Sequence, residues 1–393
     1  MAQISKRLEG LVQSDIRRMS RECERVAGIN LGQGICDLPT IPELVEGATE
    51  AIASSKATYS KFEGIDVLRE KIARKVERFN GFRVDPSSEI IVTVGSTGGF
   101  AAAALATLNP GDEVILFEPY YGYHLNTLKV LGIETKFVPL QLPDWSIDFG
   151  ALRRAFTSKT HGIVVCTPSN PCGKVFTRDE LEKIGALCRE FNAVAFTDEI
   201  YEYIVYDGRR HLSMASVPAC RDVTITISGF SKTFSITGWR IGYVAADAAI
   251  ARPIGLVNDL FYVCAPTPLQ WGVARALDIG EAYYRNLASE YQKKRDTLAA
   301  ALAEGGFTPY VPQGAYYMLA EIPAEFANAR EAADSLIENA RVASVPGPSF
   351  YASSRGDRLL RFCFAKDFDA LEEACRRLSA LSRSRERVAR SAG

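Results

Sequence analysis

Histidine is scarce in this chain. Three occur among 393 residues, His124, His161 and His211, far apart in sequence. That scarcity argues against a histidine-rich metal site and against a Ser-His-Asp triad. An excess of one charge is also missing: 46 basic residues face 47 acidic ones, for a formal net charge of −1. The electrostatic footprint of a nucleic-acid-binding protein is therefore absent. Long apolar runs are lacking too, since each is broken by Gly, Pro or a charge, so no segment reads as a membrane span. Met1 to Glu9 carries Lys6 and Arg7 with no apolar core after them, which gives no secretory signal. The nine cysteines are odd in number and include no C-x-x-C pair, so free thiols in a reducing cytoplasm are expected.

What is present is an ordinary globular composition, 47% hydrophobic and 24% charged. The length suggests two to three domains and needs no disulfide or metal staple. From Glu89 onward, short β-rich runs alternate with helical patterns. Strands are predicted at Ile90–Val94, Val114–Phe117, Gly162–Cys166, Val194–Thr197, Val223–Ile227 and Ile241–Ala245, and helices at Gly99–Leu108 and Arg178–Phe191. Such alternation implies an α/β fold with a mainly parallel sheet covered on both faces. Ligands then bind at the carboxyl ends of the strands. After Ala276 the pattern changes: a long helix over Glu281–Leu302 precedes strands at Gly314–Glu321 and Leu359–Phe364. Residues 41–280 thus read as a large unit and 281–393 as a smaller α/β one. Residues 1–40 form an arm contributing to the smaller unit. The Ser- and Arg-rich tail from Ser382 is expected to fray.

The segment from Ser228 to Tyr243 is the most informative. A strand runs into small and hydroxyl residues around Lys232, amid Phe230, Phe234, Ile236 and Trp239. Burial among these would lower the lysine pKa and free its amine as a nucleophile. Arg240 follows eight positions on, with a guanidinium suited to a phosphate. Gly95-Ser96-Thr97-Gly98-Gly99 follows a strand and opens a helix, so its amides suit an anion or, equally, a close packing contact. Asp198 ends a β-run and reads as a functional carboxylate or a helix N-cap. Asn170 in Ser-Asn-Pro reads as an ordinary turn, and Arg361 alone as a surface residue.

Taken together, these segments resemble the class I aminotransferases, which use pyridoxal 5′-phosphate (PLP) and share the fold-type I architecture. The resemblance covers nearly the whole chain. In order, it is carried by Gly32-Gln-Gly34, Tyr59 before Gly64 and Leu68-Arg69, Gly95 to Gly99, Asn170-Pro-Cys-Gly173, Asp198-Glu-Ile-Tyr201, the Lys232 segment and Arg361-Phe-Cys-Phe-Ala365. It implies a large PLP-binding domain with a mainly parallel seven-stranded sheet, and a smaller α/β domain. Lys232 would hold PLP as an imine and move the Cα proton, and Asp198 would keep the pyridine nitrogen protonated. Tyr201 and Asn170 would reach the ring oxygen. Tyr121 would stack on the ring, with Tyr120 a close competitor. Gly95, Ser96, Thr97, Ser231 and Arg240 would contact the phosphate, and Gly34, Asn170 and Arg361 the substrate. Tyr59 would reach across a dimer to the partner's phosphate, making the protein a homodimer with shared sites.

Three positions depart from the family pattern. Gly229 stands where many members carry a phosphate-contacting Ser, leaving Ser228 or Ser231 to substitute. Ser60-Lys61 replaces Thr/Ala-Pro, and Tyr351 follows Phe350 where Gly is common. The activity implied is amino-group transfer between an L-amino acid and a 2-oxo acid in the cytoplasm, with no nucleic-acid or membrane partner and no metal. Thr97 carries no charge for a second carboxylate, and Phe62, Tyr121 and Tyr123 suit an apolar pocket. A neutral or aromatic donor is therefore expected. The rival readings are a PLP-dependent β-lyase and an aspartate- or glutamate-preferring aminotransferase.

Overall fold

The computed structural model describes residues 4–9, 11 and 15–391, the last ten without their side chains. Seven strands form one sheet: β1 Ile90–Val94, β2 Glu113–Glu118, β3 Glu134–Pro139, β4 Thr160–Cys166, β5 Val194–Asp198, β6 Thr224–Gly229 and β7 Ile241–Ala245. Their spatial order is β1-β7-β6-β5-β4-β2-β3. The pairs β3–β2–β4–β5–β6 are parallel, whereas β7 runs antiparallel to both β6 and β1. The inner strands are almost continuous runs of Ile, Val, Phe and Thr, buried on both faces, as a parallel sheet under two helical layers requires. All six strands predicted here are observed to within two residues at either end. The seventh, β3, was not read from periodicity, because it is a partly exposed edge with the sequence Glu-Thr-Lys-Phe-Val-Pro.

A second sheet is four-stranded and antiparallel: β8 Thr308–Tyr310, β9 Tyr317–Glu321, β10 Val345–Pro346 and β11 Leu359–Cys363, ordered β10-β11-β9-β8. Arg361 sits centrally in β11, opposite Leu319 on one side and Val345 on the other. Ile29–Asn30 pairs with Val342–Ala343, which ties the start of the chain to this region.

Six helices matter below: α1 Asp15–Arg25, α2 Gly95–Thr107, α3 Gly122–Val130, α4 Ala248–Tyr262, α5 Glu281–Glu304 and α6 Phe368–Ser391. α1 lies in a stretch whose sequence showed no sustained period. It is nonetheless amphipathic, burying Met19 and Cys23 one turn apart. α6 carries the tail on as helix to Ser391, where fraying was expected. Its Arg, Glu, Leu and Ala residues are good helix formers, and no Gly or Pro interrupts them. No helix among the described residues is long and apolar enough to cross a membrane.

Candidate active site

The carboxyl ends of β4, β5 and β6 open onto a cavity of about 440 Å³ that also touches the small sheet. Gly34, Ser96, Thr97, Tyr121, Asn170, Asp198, Tyr201, Ser231, Lys232, Arg240 and Arg361 all line it. A larger apolar cavity, about 610 Å³, adjoins through Tyr123, but among the described residues no lysine, histidine or carboxylate lines it. The chemistry therefore belongs to the smaller one.

Local chain geometry explains the convergence. β6 delivers Lys232 three residues past its end. Because β7 is antiparallel, its amino end lies at the same sheet edge, and Arg240 immediately precedes it. Gly95 starts α2 at φ 69°, with Val94 before it offering no side-chain cap. A Cβ on Gly95 would fall 2.2 Å from Nη2 of Arg240, and one on Gly242 would fall 2.5 Å from the Gly95 carbonyl carbon. Two bare backbones thus let the guanidinium lie against the start of α2. Arg240 Nη1 also donates to the Thr237 carbonyl at 3.0 Å.

Lys232 Nζ donates to the Gly34 carbonyl at 3.2 Å and lies 5.5 Å from the Tyr316 ring centroid. Burial pushes the Lys232 ammonium below the ordinary lysine range, and the nearby Arg240 charge acts in the same direction. Asp198 Oδ1 accepts from the Ile200 amide at 3.3 Å, and no helix follows it, so the N-cap reading does not hold. Its other oxygen, Oδ2, lies 3.0 Å from His124 Nε2.

Arg361 is 1% exposed. It donates from Nη1 to Asn170 Oδ1 at 3.0 Å and from Nη2 to the Gly32 carbonyl at 2.7 Å, while its Nε has no partner. Asn170 is therefore more than a turn residue, since its side chain orients the guanidinium. The Tyr201 hydroxyl donates to that of Tyr317 at 3.3 Å, and burial raises the Tyr201 phenol well above its usual range.

The structure separates the paired candidates. Tyr121 lines the cavity, whereas Tyr120 packs on Phe137, with ring centroids 5.4 Å apart. Ser231 lines the cavity, whereas Ser228 is turned into a buried network, its hydroxyl donating to Glu202 at 3.0 Å. Glu202 in turn pairs with Lys75 at 2.5 Å, and Lys75 also bonds Asn80 and the Tyr243 hydroxyl. Gly229 is tightly packed: a Cβ would meet Gly242 Cα at 3.0 Å, so the neighbouring strand would have to give by a few tenths of an ångström. Gly95 lies against Arg240 and is not itself part of the lining, and two more expected residues stand apart from the cavity. Tyr59 is 81% exposed on the surface. Phe62, expected at the mouth, instead packs against Gly255 of α4, where an added Cβ would meet its ring at 2.8 Å.

Sequence reasoning missed two contributors. His124 is buried in the first turn of α3, behind Asp198 and edge-on to Tyr121, with centroids 5.2 Å apart. The only signal was its place three residues after Tyr121, just past β2. Tyr317 begins β9, and its ring lies 4.2 Å from the Arg361 guanidinium carbon. A Cβ on Gly34 would fall 1.8 Å from the Tyr317 hydroxyl, so Gly34 admits Tyr317 to the cavity. That contact joins residues far apart in sequence and left no local trace.

Residues 26–378 match the family model described as aminotransferase class I and II. A probable N-succinyldiaminopimelate aminotransferase, DapC, of Mycobacterium tuberculosis is 36% identical over 96% of this chain and 98% of its own length. Kynurenine–oxoglutarate transaminase 3 of Rattus norvegicus is 32% identical over 94% of this chain and 88% of its own. Among solved structures, YbdL of Escherichia coli, for which a methionine aminotransferase function is described, superposes with a TM-score of 0.93. It is 30% identical, covering 97% of this chain and all of that one. With a lysine, a carboxylate and two arginines gathered at the carboxyl edge of a mainly parallel sheet, the chain belongs to the class I and II aminotransferases and is itself an aminotransferase.

Proposed function

We propose that the cavity holds PLP and that the enzyme transfers the amino group of a neutral or aromatic L-amino acid to a 2-oxo acid. The donor set fits the cofactor group by group. The start of α2, Ser96, Ser231 and Arg240 suit its phosphate, with Gly95 lacking the Cβ that would strike the Arg240 guanidinium. Asp198, held by His124, suits the pyridine nitrogen, and Tyr201 and Asn170 the ring oxygen. Tyr121 suits the ring face, and Lys232 the aldehyde carbon. When bound, PLP supplies a conjugated ring that takes up the electron pair left on Cα as its proton departs.

The side chains do the rest. Arg361, held by Asn170 and Gly32, binds the α-carboxylate and sets Cα toward Lys232. The Lys232 amine, whose pKa burial lowers, accepts the Cα proton and returns it elsewhere on the same framework. His124 fixes the orientation of Asp198, the side chain that would meet the ring nitrogen.

The donor assignment rests on one observation. Among the described residues the cations lining the cavity are Lys232, Arg240 and Arg361, each already assigned, so none of these is left for a second carboxylate. Ile16, Ile35, Tyr121 and Tyr123 supply apolar and aromatic surface instead. A dicarboxylic donor is favoured by one other feature: Arg17 lines the adjoining cavity, with Tyr123 shared between the two.

Residues 41–280, which carry the large sheet, form the cofactor-binding unit; 281–393 and the arm form the smaller one. A homodimer with Tyr59 reaching the partner's phosphate is supported by the exposure of Tyr59 and by apolar Leu256, Leu260 and Phe261 on the surface of α4. None of the nine cysteines is paired, which suits a reducing compartment such as the cytoplasm.

Borohydride should abolish a visible absorbance band and leave the reduced adduct on Lys232; an adduct on another lysine overturns the assignment. Specificity constants for phenylalanine, methionine, kynurenine, glutamine and aspartate then test the donor. Aspartate leading by about tenfold, or roughly 1.4 kcal/mol, would favour the dicarboxylic reading.

A further inference from the structure

One buried carboxylate takes no part in the chemistry above. Glu118 ends β2 at the sheet's carboxyl edge and is 3% exposed. Among the described residues no Lys, Arg or His pairs with it. Its Oε1 accepts from the Ala352 amide at 2.5 Å and the Ser353 amide at 3.2 Å, and its Oε2 from the Ser353 hydroxyl at 3.0 Å. A carboxylate removed from water without a cation is costly unless donors meet its lone pairs, and N–H bonds to a charged acceptor are the strong kind. All three donors come from the loop between β10 and β11 of the small sheet. Two residues past Glu118, the Tyr120 amide donates to the Phe350 carbonyl at 2.9 Å. The end of β2 therefore grips residues 350–353 along both backbones.

Phe350 is what the grip holds. It is 1% exposed, and its ring centroid lies 4.6 Å from the Arg361 guanidinium carbon. With Tyr317, it packs the guanidinium against two aromatic rings. Lys232 follows a strand of the large sheet, whereas Arg361 belongs to the small one. A substrate bound by its carboxylate presents Cα to the lysine only if the two sheets stay in register. The Glu118 clasp joins them beside the cavity.

We propose that Glu118 is a positioning residue for the amino-acid substrate: it anchors the 350–353 loop to the large sheet and, through Phe350, sets the Arg361 guanidinium. This rests on the reading of Arg361 as the α-carboxylate partner, so the experiment separates the two. Holoenzyme is assayed with phenylalanine and with phenethylamine, which lacks the carboxylate. Glu118→Ala should raise KM for phenylalanine about tenfold or more, leave kcat within about threefold, and leave the slow reaction of phenethylamine unchanged. Glu118→Gln keeps an acceptor for the two amides and can turn its NH₂ to the Ser353 hydroxyl, so it should restore most of the loss. Should the alanine variant not fold, Ser353→Ala, which removes one of the three bonds, should still raise KM about threefold for phenylalanine alone. Unchanged KM in Glu118→Ala, or equal losses on both substrates, overturns the proposal while leaving Arg361 intact. If Arg361→Ala does not erase the preference for phenylalanine over phenethylamine, the Arg361 reading falls and this one with it.

Discussion

Replacing Gly95 with alanine tests how the cavity is built for a phosphate. Gly95 holds φ 69°, and its missing Cβ leaves the space taken by the Arg240 guanidinium. An added Cβ would sit 2.2 Å from Nη2, 2.7 Å from Cζ and 3.0 Å from Nη1. All three atoms are the far end of a flexible side chain, so the guanidinium moves and the backbone stays. The left-handed conformation costs alanine about 1–2 kcal/mol, and losing the Arg240 bond to Thr237 about 1 kcal/mol more. The protein should fold with about 2–3 kcal/mol less stability. Cofactor binding should suffer separately: a hydrogen bond to a charged group is worth about 1.5–3 kcal/mol, a roughly 10- to 150-fold weaker Kd. The assay titrates apoprotein with PLP and, in parallel, with pyridoxal, which has no phosphate. Only the PLP Kd should rise. A PLP Kd within about threefold of wild type, or equal weakening of pyridoxal, would refute the phosphate cradle at Gly95 and Arg240.

Four further outcomes follow from the same geometry. Lys75→Ala leaves Glu202 buried without its cation and should cost about 3–5 kcal/mol in urea denaturation; a loss below about 1 kcal/mol contradicts the network. Asp198→Ala should slow single-turnover Cα deprotonation by roughly 100-fold or more, and a wild-type rate removes it from the chemistry. Mixing Tyr59→Phe chains with Lys232→Ala chains should yield dimers in which one site regains wild-type PLP affinity, whereas an active PLP-loaded monomer in ultracentrifugation contradicts shared sites. Because burial lowers the Lys232 pKa, its amine stays neutral at pH values where an ordinary lysine is protonated, and it is lost as base as pH falls through that lowered pKa. The acid limb of kcat should therefore lie below the unperturbed lysine value of 10.5, and a rate still climbing up to that pH contradicts the assignment.

Much of this protein was legible before folding was considered, because its signals are local. Strand periodicity and the turn chemistry after each strand occupy a few neighbouring residues. Lys232, Asp198, Asn170 and the Gly95 turn could thus be placed at strand ends from their immediate surroundings, and a cavity does open at those ends. The partial burial of Lys232 was likewise foreseeable from its apolar neighbours. Tertiary structure decided whatever depends on contacts across the chain. The antiparallel run of β7 brings Arg240 to the same edge as Lys232. The Lys75–Glu202 pair draws Ser228 away and leaves Ser231 to the cavity. His124 behind Asp198, Tyr317 in the space left by Gly34, and Glu118 clasping Ser353 are hydrogen bonds or packing contacts between distant segments. Their partners carry no mutual signal in one sequence, since a hydrogen bond requires only that two groups meet in space and leaves the chain between them unconstrained.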